Sequence, residues 1–123
     1  MIKLLDQTRR PDVSFSRNGK IRITARVARA LSLRPGDVVN IVVNNGEYLL
    51  YATHIDNNFG RHEAQCYPTK KGSGNYCANS VRLCRSLFAS VGINANNVAY
   101  MTGKPVERNG IIYVPIITLN PQL

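Results

Sequence analysis

The sequence predicts a mainly β protein with short helices, an α+β chain folded as one compact domain. Three observations carry that expectation. Apolar and polar residues alternate in short runs, as at Lys20-Ile21-Arg22-Ile23, which is the period of a half-buried strand. Asn-Gly pairs at Asn18-Gly19, Asn45-Gly46 and Asn109-Gly110 punctuate these runs with hairpin turns. The order of basic glycine turn, helix, strand, turn and strand occurs in residues 12–53 and returns, in divergent form, in residues 65–119.

Residues 1–11 read as a leader or short extra strand ending at Pro11. Val13 and Phe15 belong to a first strand, Asn18-Gly19 turns it as a two-residue loop, and Ile21 and Ile23 line one side of the return. Thr24 is a good N-cap type, with a hydroxyl suited to accept from an N–H of the first turn. A helix follows from Ala25 to about Leu31, with Val27, Ala28 and Leu31 as its apolar stripe and Arg26 and Arg29 opposite. Pro35-Gly36 stops it. Val38 to Val43 and Glu47 to Ala52 form a second hairpin around Asn45-Gly46.

Residues 54–64 read as a connector. A strand from Ala64 to Pro68, a basic turn at Lys70-Lys71-Gly72-Ser73-Gly74 and a strand from Asn75 to Ala78 come next. The helix from about Asn79 to Ser90 puts Val81, Cys84, Leu87, Phe88 and Val91 on one face, and Gly92 closes it. Strands at Asn97–Met101 and Ile111–Leu119 complete the chain. Laid side by side, the halves match Gly19 with Gly72, Val27 with Val81, and Asn45-Gly46 with Asn109-Gly110. Four strands and one helix in about forty residues are too few to close a core alone. Each half therefore needs a partner, either the other half or a second chain.

Charge narrows the function. Sixteen Lys and Arg against seven Asp and Glu give +9, and the pI is near 10.0. Such a balance favours polyanions. Both halves are basic, so this is not a basic tail on a neutral domain. The apolar runs fall far short of a membrane span. The N-terminal run is also too short for a signal peptide, and together with three cysteines it points to a reducing, cytoplasmic setting. The spacing of His62, Cys66, Cys77 and Cys84 fits no common zinc site, so no metal or other cofactor is expected. No nucleophile-elbow, kinase, metalloprotease or dinucleotide motif is present, and an enzyme is not expected.

Residues 12–53 resemble the AbrB/SpoVT-type swapped-hairpin DNA-binding unit, also seen in MraZ-type proteins and many antitoxins. The resemblance rests on Ser16-Arg17-Asn18-Gly19-Lys20-Ile21-Arg22-Ile23, on Ala30-Leu31-Ser32-Leu33, and on Arg34-Pro35-Gly36-Asp37-Val38-Val39. Ile23-Thr24 stands where the family usually has Ile-Pro. The resemblance implies an intertwined barrel, closed by a second chain as a homodimer or by residues 65–119 as an intrachain pseudo-dimer. It also implies double-stranded DNA as partner, contacted by position through Arg17, Lys20, Arg22 and Arg26, in a transcriptional regulator or antitoxin-type repressor. Lys70, Lys71 and Arg82 would extend that surface from the second half, and amides of the Gly72–Gly74 turn could cradle an anion. The alternative is an interaction or assembly module that keeps the barrel, binds a protein partner and has lost DNA readout.

Overall fold

The computed structural model describes residues 11–55 and 62–122. β1 (Val13–Ser16) and β2 (Lys20–Ile23) lead into α1 (Ala25–Leu31), and β3 (Val38–Asn44) and β4 (Glu47–Thr53) form the second hairpin. β5 (Tyr67–Pro68), β6 (Tyr76–Asn79) and α2 (Val81–Val91) open the second half. β7 (Asn97–Thr102), β8 (Val106–Arg108) and β9 (Ile111–Gln122) end it. The protein is thus mainly antiparallel β with two short helices.

The strands pair in the order β3-β4-β9-β7-β1-β2-β6-β5, with β8 on β9. An isolated bridge joins Val38 to Gln65. Beside it the Val39 N–H donates to the Ala64 carbonyl at 3.0 Å and the Cys66 N–H to the Asp37 carbonyl at 2.7 Å. These bonds draw the β3 end of the order toward the segment entering β5, and the sheet curls into a barrel-like shape. Val13, Phe15, Ile21, Ile23, Leu50, Val98, Tyr100 and Val114 fill its interior. Each such side chain contributes roughly 1.5–3 kcal/mol by leaving water. Val27, Ala28 and Leu31 of α1 and Cys84, Leu87 and Phe88 of α2 turn inward to the same core.

Several expectations shift in detail. The register Phe15↔Ile21 leaves Arg17, Asn18 and Gly19 as a three-residue loop rather than a two-residue turn, with Gly19 at φ 100. Asn45-Gly46 and Asn109-Gly110 are true two-residue turns of matching shape, with φ of 52 and 79 in the first and 52 and 80 in the second. The strand entering the second half begins at Tyr67, because Ala64 adopts φ 58 and breaks the extended run. Ala64 is itself buried, so the connector ends as part of the core. The leader falls outside the described residues except for Pro11, as do residues 56–61 of the connector.

Thr24 does not cap α1 with its side chain; its hydroxyl donates to the Asp12 carbonyl at 3.0 Å. Instead the Asn75 side chain accepts from the Ala25 N–H at 2.8 Å. The glycine loop of the second half therefore sits on the start of the first helix. The reverse also holds: the Ser80 N–H donates to the Gly19 carbonyl at 2.9 Å, where α2 begins. Ser80 caps α2 properly, its hydroxyl accepting from the Leu83 N–H at 3.0 Å. Asp12 is buried and accepts from both the N–H and the hydroxyl of Thr102, at 2.9 and 2.8 Å, which ties β1 to β7.

Candidate functional site

Lys20 and Arg22 occupy alternate positions of β2, both exposed, while Ile21 and Ile23 between them are buried. Cross-strand register extends their outer face. Ala99, Ser14, Arg22, Cys77 and Tyr67 stand in one row over β7, β1, β2, β6 and β5. In the next row Asn97 pairs with Ser16, and Lys20 with Asn79. Neither row holds an acidic side chain. A shallow groove of about 450 Å³ runs along this face, lined among others by Ser14, Ser16, Asn18, Lys20, Arg22 and Asn97. Tyr67, half exposed at 50%, ends the first row.

Arg17 behaves differently. Its Nε donates to the Ala95 carbonyl at 2.9 Å, and its guanidinium lies 5.3 Å from the centroid of the Phe88 ring. It clasps the turn between α2 and β7, so its planar charge is directed at the protein's own backbone. Lys70 and Lys71 are exposed on the loop that docks on α1 through Asn75. The anion cradle expected there is partly closed: the Ser73 N–H donates to the Lys70 carbonyl and the Asn75 N–H to the Ser73 hydroxyl. Arg26 lines a small cavity of about 270 Å³ with Thr102 and Lys104. Arg82 is 85% exposed and lies 3.5 Å from Glu63, which also accepts from the Ser80 hydroxyl.

The seven basic residues expected at a site are therefore distributed. Lys20 and Arg22 share one face, Lys70 and Lys71 share a loop, Arg26 and Arg82 sit on separate helices, and Arg17 is turned aside. Their arrangement exposes a pattern that aligning Val27 with Val81 hides. The helices begin at Ala25 and Val81. Aligned there, Arg26, Arg29 and Leu31 fall on Arg82, Arg85 and Leu87. Arg29 and Arg85 are exposed like Arg26 and Arg82, and both leucines are buried. The spacing R-x-x-R-x-L was the available signal for adding Arg29 and Arg85 to the candidate set.

Cys66 and Cys84 are buried and Cys77 half-buried, all three free. Burial, with the Asp37 carboxylate nearby, pushes the Cys66 thiol up to about 12. Burial also raises Cys84. Such thiols stay protonated and behave as small apolar residues. Among the described residues no group of three or more His, Cys, Asp or Glu side chains is placed to hold a metal ion. No helix among them is long and apolar enough to cross a membrane. Comparison with protein-family models, with curated proteins and with solved structures yields no match for this chain.

Proposed function

We propose that this chain is a DNA-binding protein of the AbrB/SpoVT type, a transcriptional regulator or antitoxin-type repressor, whose two halves act as an intrachain pseudo-dimer. Strand pairing supports the second part. β2 pairs with β6 and β4 with β9, each the counterpart of the other in its half. The β1–β7 ladder has its counterpart in the Val38–Gln65 bridge. Glycine-turn-to-helix contacts run in both directions between the halves.

One observation carries the DNA reading: the acid-free outer face of β2 and β6, bearing Lys20 and Arg22. β2 runs into α1 and β6 into α2, and the two strands are antiparallel, so the Arg26–Arg29 and Arg82–Arg85 pairs begin at opposite ends of this ribbon. A four-residue strand spans roughly 13 Å, and the major groove, at about 12 Å wide, admits a two-stranded ribbon. In this reading Lys20 and Arg22 meet the groove, the helix arginines grip phosphates on either side, and Lys70 and Lys71 add charge near α1.

The test is binding of a fluorescent duplex across a salt series. About six phosphate contacts give a log–log slope near −5. Replacing Arg26 and Arg82 together with Ala should flatten that slope by about 2. No binding at low salt, or a flat salt response, sinks the proposal. The barrel would then be read as an assembly module.

A further inference from the structure

The outer face of the other half of the sheet has the opposite character. Val42, Leu49 and Pro115 stand in one cross-strand row over β3, β4 and β9. Beside it the Tyr51 and Tyr113 rings lie 5.5 Å apart, and Tyr113 pairs with Val106 of β8. Leu49 is only 8% exposed yet lies outside the core cluster, so its neighbours on this outer face cover it. Val42, Val106, Ile111 and Ile117 remain 36–44% exposed around it. Contiguous exposed apolar surface of this kind marks an association site.

Charge selects the occupant. Residues 38–53 hold one charge, Glu47, and residues 103–122 hold Lys104, Glu107 and Arg108. These two stretches are together neutral, so the entire +9 resides in the rest of the chain. A nucleic acid or a strongly acidic protein is drawn to the basic side and finds no complement here. The net charge sets two copies of the chain against one another, and that repulsion is weakest across this neutral face, where register puts both Glu47 and Arg108. We propose that the outer face of β3, β4, β9 and β8 docks a second copy of the chain in a two-fold, self-complementary contact. Such a dimer turns its two basic ribbons away from each other and leaves both free.

Sedimentation velocity and light scattering on the full chain test this. The expected species has twice the 13.7 kDa of one chain. Its dissociation constant should stay level or fall as salt rises, because an apolar contact is not screened while the repulsion of the bodies is. Ile117→Lys and Val42→Lys, both at exposed positions, should each weaken the dimer at least about tenfold by placing a charge in a desolvated contact. Tyr67→Ser, on the basic face, should leave it unchanged. A chain monomeric up to about 100 μM, well above the micromolar range of weak specific complexes, overturns the proposal. So does a dimer indifferent to both lysine substitutions, or one that dissociates with salt. Duplex binding by the lysine variants is a separate readout, so failure of the dimer and failure of the DNA reading are distinguishable.

Discussion

Gly19 is the position where a single methyl group tests the contact between the halves. Its φ of 100 is one that L side chains rarely adopt. A Cβ there would lie 2.8 Å from the Val81 nitrogen and 3.1 Å from the Ser80 carbonyl carbon. Both atoms are backbone, at the start of a helix pinned by the Ser80 cap, and cannot rotate away. Left-handed backbone costs a non-glycine residue roughly 1–2 kcal/mol. Forcing the helix start to yield adds roughly 1–3 kcal/mol, the usual cost of overpacking. Gly19→Ala should therefore destabilise by about 2–5 kcal/mol. Gly46→Ala isolates the first part: its φ is 79 and nothing lies within 4 Å of the added carbon. Chemical denaturation of the two variants gives the comparison. In thermal melts each 1 kcal/mol should lower Tm by about 4 °C in a chain of this size. If Gly19→Ala costs no more than Gly46→Ala, the first turn does not press on α2 as described.

Arg17→Ala should act on stability more than on DNA. Loss of the Ala95 bond and the contact with Phe88 costs about 1–3 kcal/mol. Urea denaturation checks this, and a variant as stable as the parent would return Arg17 to the DNA-facing set. Alkaline pH should destabilise the fold in a defined window. Burial raises Cys66 from 9.0 and Tyr100 from 10.0, each to about 12. Below pH 9 both groups are neutral folded or unfolded, and stability is level. Above it the unfolded chain loses protons first, so stability falls with pH until about 12, by up to about 1.4 kcal/mol per pH unit for each group. The Tyr100 hydroxyl is buried and has no hydrogen-bond partner among the described residues. Tyr100→Phe should thus keep or raise stability at pH 7 and reduce the alkaline loss in denaturation series. A flat profile from pH 8 to 11 would contradict the burial of both groups.

Much of the architecture is legible locally. The alternation at Lys20–Ile23, the Asn45-Gly46 turn and the inward stripe of α1 follow from a few adjacent residues, because side-chain period and turn dihedrals are short-range properties. Gly92 at the end of α2 belongs to the same class, whereas the start of α2, expected at about Asn79, lies at Val81 behind the Ser80 cap. Thr24 shows the limit. It is a capping residue by type, yet the Asp12 carbonyl takes its hydroxyl and Asn75, fifty-one positions away, takes the vacated role.

The candidate site divides along the same line. That the chain is basic, and that Lys20 and Arg22 share a strand face, is contained in the sequence. That Arg17 turns onto the α2–β7 loop is not, since its partners Ala95 and Phe88 lie more than seventy positions away. Nor does the sequence alone reveal that Cys77, Tyr67 and Ser14 align with Arg22, or that a neutral face lies apart from a basic one. Composition and local pattern determined a basic, mainly β chain with two short helices. Tertiary structure alone decided which charges share a face. Cross-strand register joins residues distant in sequence, and a shift of one position would send every one of those side chains to the other side of the sheet.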